Sequence, residues 1–87
     1  MNTILMELII YQAVFLELSG DDIVDPDAAI EQLEYISWSL QQLSEADRLT
    51  FIQFVNEEAL KAEAAGSNEE LVDFLKTFPE AFGLIDD

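Results

Sequence analysis

The chain has no cysteine, no histidine and only three basic residues among its 87 amino acids. The lack of cysteine excludes a disulfide framework and thiolate chemistry. Without Cys or His, the catalytic pairs of nucleophile and base that are built on those residues are excluded as well. A pair of carboxylates could still act as acid and base, but it needs a concave site that separates the two pKa values, which a domain this small rarely has. We therefore expect no enzymatic activity and no cofactor.

The scarcity of positive charge is extreme, because 19 acidic residues face three basic ones and the formal net charge is −16. Proteins bind nucleic acids mainly through Lys and Arg, so this charge disfavours direct binding to nucleic acid or to an anionic membrane surface. The same field attracts a basic protein and accelerates its association. We predict a basic protein partner. A second interpretation is nucleic-acid mimicry by the acidic doublets Glu57-Glu58, Glu69-Glu70 and Asp86-Asp87.

Apolar residues are plentiful at 51%, so the chain can fold, and its length predicts a single helical domain over residues 1–87. No hydrophobic run is long enough for a membrane span. The apolar stretch from Ile4 to Leu18 is interrupted by Glu7 and Glu17 and falls short of about 20 residues. We interpret it as a core helix of a cytoplasmic protein.

Local signals predict an all-α fold, a small antiparallel four-helix bundle with a short C-terminal apolar tail. The first helix, Thr3 to Ser19, is apolar nearly all round, so it is either central in the bundle or shared with a second subunit. Gly20 is expected to end it in the left-handed conformation. The second helix is expected to begin at Asp25-Pro26, a good N-cap before a proline at the first helical position, and to run to about Leu43.

The third and fourth helices are indicated by similar signals. Ser44 is a good N-cap for a third helix over residues 45–65, and Gly66 is expected to close that helix. Its predicted buried stripe consists of Phe51, Ile52, Val55, Ala59 and Ala62. The fourth helix restarts after Ser67-Asn68, and Pro79 is expected to break it. The tail around Phe82 and Leu84 is then expected to fold back onto the bundle.

The second helix carries the clearest functional signal, because its two sides differ in composition. At 100° per residue, one arc is apolar and is expected to face the core, namely Ile30, Leu33, Ile36, Leu40 and Leu43. The opposite arc collects carboxylates, amides and two large aromatics, namely Asp27, Glu31, Glu34, Tyr35, Trp38 and Gln42.

Trp and Tyr are enriched in interface hot spots, and neighbouring acids select a basic partner. Glu31, Glu34, Tyr35 and Trp38 are therefore the predicted partner-binding residues. In the alternative interpretation, which is the more frequent outcome for large aromatics, the C-terminal segment around Phe82 or the first helix covers both rings.

The loop before the second helix contains four aspartates, Asp21, Asp22, Asp25 and Asp27. Hard cations prefer oxygen ligands, but the spacing does not match a calcium-binding EF-hand loop. Counted from Asp25, the sixth position is Ile30, where that loop requires glycine. Asp25 and Asp27 are already explained by helix capping, so we expect no specific metal site.

In length, acidity and expected four helices, the chain resembles the colicin-type immunity proteins, which bind basic nuclease toxins. It lacks that family's Tyr-Tyr-Pro segment on a short third helix, so no residue role is carried over. Two function classes remain. One is a non-enzymatic binding module of the immunity, antitoxin or inhibitor type for a basic partner, and the other is a structural or assembly protein that forms a homodimer through its first helix.

Overall fold

The computed structural model describes residues 1–85 and contains only helices and turns over that range. The helices are α1 (Thr3–Leu18), α2 (Pro26–Leu40), α3 (Glu45–Ala64) and α4 (Glu69–Ala81). They pack against one another as a small antiparallel four-helix bundle, which confirms the predicted fold class. The Asp86-Asp87 doublet of the sequence analysis lies outside the described residues.

Each helix begins at a side chain that caps its free amides. Asp25 and Ser44 each accept a hydrogen bond from the amide three residues on, at 3.0 and 3.1 Å, and Pro26 occupies the first position of α2. Both predicted starts are confirmed. Asn2 and Asn68 do the same for α1 and α4, each accepting from two amides of the first turn. These bonds satisfy donors that have no partner within the helix.

Glycine closes α3 and the last turn of α4. Gly66 and Gly83 have φ angles of 70° and 72°, the left-handed conformation that glycine adopts without a steric penalty. At both ends the glycine amide donates to the carbonyl three residues back, and the next amide donates to the carbonyl five residues back. The prediction for Gly66 is confirmed. The one for Gly20 is wrong, because α1 ends through Ser19 in an extended conformation (φ −76°, ψ 144°) and needs no left-handed residue.

Two further helix ends differ from their predictions. α2 ends at Leu40 rather than Leu43, because two of the following amides donate to carbonyls three residues back and tighten the chain into a turn. α4 continues through Pro79 to Ala81, where a break was expected. Pro79 lies in the last turn, and the amide of Phe82 still donates to the carbonyl of Phe78 at 3.0 Å. The loss of one N–H this close to the helix end does not stop the helix.

The core is centred on aromatic rings from α3, α4 and the tail. Phe78 is fully buried, and its ring centroid lies 5.9 Å from Phe51, 5.6 Å from Phe74 and 4.1 Å from Phe82. Most of the buried stripe predicted for α3 is confirmed, and Ile52 is half-buried beside it. The buried cluster consists of Met6, Ile10, Ala13, Leu40, Phe51, Val55, Ala59, Ala62, Val72, Leu75, Phe78, Phe82 and Leu84.

The C-terminal tail folds back onto the bundle, as the sequence predicted. Phe82 and Leu84 are both buried in the core cluster. The backbone carbonyl of Phe82 accepts hydrogen bonds from Ser37 Oγ at 3.1 Å and from Gln41 Nε2 at 3.2 Å. Ser37 of α2 and Gln41, the C-cap residue of α2, therefore hold the C-terminal end of α4 in place.

We expect Gly83→Ala to lower the free energy of unfolding by about 1 to 2 kcal/mol, because alanine is strained at positive φ. A Cβ at this position would also lie 2.8 Å from Gln41 Nε2, the donor that anchors the tail. The matched control is Gly66→Ala, which has the same backbone strain but no heavy atom within 4 Å of the added Cβ. Urea denaturation should show a larger loss for Gly83→Ala than for Gly66→Ala. Equal losses would mean that the contact with Gln41 contributes nothing.

Helix α1 packs against all three other helices, which makes it the central helix of the bundle. Its core side carries Met6, Ile10 and Ala13, all buried. Its opposite side carries further large apolar residues that remain exposed. The fold therefore buries only part of the apolar surface that the sequence of α1 provides.

Candidate partner-binding surface

Helix α2 divides the candidate surface from the core. Leu40 is buried, and Leu33, Ile36 and Leu43 pack against the core cluster, as the apolar arc predicted. Ile30 is the exception, because it is exposed. Ile30 lies at the edge of the apolar arc, where neighbouring helices no longer cover it.

The four predicted binding residues lie on the outer side of α2, and all four are exposed. Glu31, Glu34, Tyr35 and Trp38 form what we call the acid–aromatic face. Glu31 precedes Tyr35 by four residues and Glu34 precedes Trp38 by four, a spacing that makes side chains neighbours on a helix surface. The backbone of a single helix thus positions two carboxylates beside two rings.

The two aromatic side chains pack against each other rather than against the core. The ring centroids of Tyr35 and Trp38 are 6.4 Å apart with planes inclined by 24°. Tyr35 is 63% exposed and Trp38 is 60% exposed. The interpretation in which the tail or the first helix covers both rings is therefore wrong.

The tail and α1 both contact α2 without covering the two rings. Phe82 stacks on Phe78 in the core, at a 4.1 Å centroid distance, and its carbonyl is held by Ser37 and Gln41. Helix α1 reaches α2 at Ile9, which lines a cavity of about 200 Å³ together with Tyr35, Ile36, Ser39 and Leu40. Tyr35 thus lines this cavity and nevertheless remains largely exposed.

The basic side chains of the protein all lie on helices other than α1 and α2. Arg48, Lys61 and Lys76 are the three basic residues, and all of them follow α2 in the chain. Lys61 lies 3.7 Å from Glu58, and Lys76 donates a hydrogen bond of 2.7 Å to Glu63. Residues 1–43 therefore carry eight acidic side chains and no basic one, so no Lys or Arg of the same segment accompanies the carboxylates of α2.

The pKa values of Tyr11 and Lys76 are both shifted upward. Burial raises the pKa of the Tyr11 hydroxyl, and the carboxylates of Glu58 and Glu7 raise it further. The hydrogen bond to Glu63, together with the attraction of the same carboxylate, raises the pKa of Lys76. Both groups already titrate well above neutral pH, so these shifts leave the charge pattern at neutral pH unchanged.

A groove beside the acid–aromatic face was not expected from the sequence. It has a volume of about 410 Å³ and lies between α2 and α4. Ile30, Leu33, Phe74 and Phe82 supply its apolar lining, and the carboxylate-bearing residues Glu17 and Glu34 also line it. Glu34 therefore belongs both to the face and to the groove. Ile30 was predicted to face the core and instead lines this groove. Its place at the edge of the apolar arc of α2 was the sequence feature that pointed to the groove.

The acidic doublets present fewer free carboxylates than the sequence suggested. Glu57 is exposed, but Glu58 is buried, and its carboxylate lies 3.7 Å from Lys61. Glu69 and Glu70 are both exposed in the first turn of α4. A continuous array of phosphate-like charges is therefore interrupted on α3.

Two further findings concern residues 1–85. The aspartates of the loop before α2 do not assemble with others into a cluster of three or more that could hold a metal ion, and neither does any other acidic group in that range. No helix in the same range combines the length and the apolar composition that crossing a membrane requires.

Comparisons of the chain with protein-family models, with curated proteins and with solved structures find no match. The fold and the candidate surface are therefore described by this chain's own residues, and no relative supplies a family or an activity.

Proposed function

We propose that this protein is a non-enzymatic binding module that recognises a basic protein through the acid–aromatic face of α2. The observation that carries the proposal is the exposed Tyr35–Trp38 pair, with its ring centroids 6.4 Å apart beside Glu31 and Glu34. Burying such rings in a partner releases a large apolar area from water. In the free monomer two adjacent large aromatic side chains remain exposed to water, which is unfavourable. A role in binding accounts for their exposure.

The chemistry of the face selects the partner. Carboxylates at Glu31 and Glu34 pair with Lys or Arg, and an Arg side chain can also stack on the faces of Tyr35 and Trp38. The net charge of −16 attracts a cationic protein over distances of about a Debye length, which is about 10 Å at 0.1 M salt. The field accelerates the encounter, and the aromatic pair holds the complex together.

An immunity, antitoxin or inhibitor role fits this chemistry. Such a protein neutralises or regulates a basic partner by covering part of its surface, which needs no catalytic group. The resemblance to the colicin-type immunity proteins in length, acidity and helix number points the same way. The absence of cysteine agrees with a reducing compartment, and the proposal places the protein in the cytoplasm.

The proposal is tested by capturing the partner from a native lysate on three immobilised proteins. These are the wild type, the double variant Glu31→Gln/Glu34→Gln, and the control Glu69→Gln/Glu70→Gln. Both variants remove two exposed carboxylates from one helix, so they change the overall charge equally. We expect the first variant to lose the partner about tenfold at about 50 mM salt, and the control to keep most of it.

The salt dependence supplies the second half of this test. Wild-type capture should fall strongly between about 50 and about 500 mM salt, because screening removes the attraction. The captured protein should be basic. Equal losses in the two variants, or capture that does not depend on salt, would contradict recognition by the acid–aromatic face.

A further inference from the structure

Helix α1 exposes a row of large apolar side chains on the side that faces away from the core. The row consists of Ile4, Leu8, Tyr11 and Phe15, whose exposed fractions range from 40 to 75%. None of the four carries a charge, in a protein whose net charge is −16. A row this apolar and this exposed on a soluble domain marks a contact surface.

The spacing of the row identifies the kind of structure that covers it. Its members follow one another at intervals of four, three and four residues, the alternation by which two helices pack along a common seam. The residues that pack into this protein's own core, Met6, Ile10 and Ala13, lie on the opposite side of α1. The row, which we also call the seam, is therefore separate from the residues that pack in the core. Its spacing favours a helix as the structure that binds to it.

We propose that the occupant is α1 of a second copy of this chain, paired antiparallel about a two-fold axis. With the axis midway between Leu8 and Tyr11, Ile4 lies level with Phe15 of the second copy, and Leu8 lies level with its Tyr11. Every member of the row then meets another member, and each smaller aliphatic side chain meets an aromatic ring. A two-fold interface requires this self-complementarity.

The charges of α1 lie beside the row and not within it. Glu7 and Glu17 are the acidic residues of α1, and neither belongs to the row. In the antiparallel arrangement Glu7 lies level with Gln12 of the second copy, five residues or about 7.5 Å along the axis from that copy's Glu7. The row itself holds no carboxylate with which a basic partner could pair. Glu7 and Glu58 lie near the Tyr11 hydroxyl, so their like charges oppose the approach of a second copy and limit the affinity of the dimer.

The dimer is expected to be weak and to strengthen with salt. Helix α1 is about 24 Å long, and one helix face buries less than the roughly 800 Å² per partner of a typical stable interface. The overall repulsion between two copies weakens when salt screens it. This dependence is opposite to that of the proposed partner binding, and the surface is a different one, so either proposal can fail without the other.

Sedimentation equilibrium at about 100 µM protein, in about 50 and about 500 mM NaCl, tests the association. We expect a monomer–dimer equilibrium that shifts toward dimer by at least fivefold at the higher salt. Leu8→Gln should weaken it at least tenfold. The matched control Leu60→Gln alters a leucine of α3 that is 64% exposed, against 62% for Leu8, and should leave it unchanged. A monomer at both salt concentrations, or equal effects of the two variants, would overturn the proposal.

The pairing direction is tested by oxidative crosslinking, since the natural chain has no cysteine. In the antiparallel register two copies of Ile4→Cys hold their thiols about 16 Å apart along the axis, and two copies of Phe15→Cys do the same. A disulfide needs Cβ atoms about 4 Å apart, so a mixture of the two variants should crosslink and neither variant should crosslink alone. Crosslinking of either variant with itself, or no crosslinking in the mixture, would contradict the antiparallel register.

Discussion

Phe78→Ala is expected to remove a large part of the stability of the fold. The ring is fully buried and contacts three other phenylalanine rings, so its loss leaves a cavity between α3, α4 and the tail. Phe→Ala substitutions in cores lower the free energy of unfolding by about 3 to 5 kcal/mol. A domain of this length has about 4 to 13 kcal/mol in total, so the variant should unfold at a much lower urea concentration than the wild type.

Urea denaturation followed by far-UV circular dichroism measures this loss. The matched control is Phe15→Ala, which removes the same atoms from an exposed position of α1. We expect the control to lose less than about 1 kcal/mol at a protein concentration where the chain is monomeric. If Phe78→Ala and Phe15→Ala were equally stable, the aromatic cluster would not be the centre of the core.

Trp38→Ala is expected to leave the fold intact and to weaken partner binding by about 2 kcal/mol, which corresponds to about 30-fold in the dissociation constant. The side chain is 60% exposed and its main ring contact is Tyr35, itself exposed, so little core packing is lost. In the complex the same side chain supplies a rigid apolar surface that the partner covers. Its removal therefore affects the complex far more than the free protein.

The binding measurement needs controls for ring shape and for exposed apolar area. Trp38→Phe keeps an aromatic ring and should retain most of the affinity. Leu49→Ala truncates an exposed side chain on α3 and should change affinity by less than about 0.5 kcal/mol. Thermal melting should show that all three variants fold. Unchanged binding by Trp38→Ala would remove α2 as the recognition element.

Much of the secondary structure was predictable from local signals, although the one at Gly20 was wrong. Asp25-Pro26, Ser44 and Gly66 each act within a few residues of their own position, through a cap or a left-handed turn. Such signals depend little on the rest of the fold. They were enough for four helices and for most of their boundaries.

Two of the errors, at Pro79 and at Ile30, occurred where distant parts of the chain contribute to the outcome. α4 continues through Pro79 in its last turn, where Phe78 and Phe82 are buried in the core and where Ser37 and Gln41 bind the carbonyl of Phe82. None of these contacts is visible from the residues next to Pro79. Tertiary packing overrode the local preference for a break.

The sequence predicted which side of α2 carries the candidate site, but it did not predict whether that side is exposed. The helical periodicity of α2 placed Glu31, Glu34, Tyr35 and Trp38 opposite its core side, and they lie there. Whether other parts of the chain cover the two rings depends on the path of the tail. The residue pattern of α2 alone does not predict that path. The same reason explains Ile30, whose exposure depends on how far α1 and α4 extend over α2.

Trp38 is the single tryptophan of the chain, so its fluorescence reports on the acid–aromatic face alone. The decisive measurement is collisional quenching of this emission by caesium and by iodide ions, first in the free protein and then with saturating captured partner. In the free protein the neighbouring carboxylates should concentrate caesium and repel iodide, so caesium should be the stronger quencher. Partner binding at the face should reduce quenching by both ions severalfold. A partner that saturates the protein while Trp38 stays as accessible as before would show that recognition occurs elsewhere.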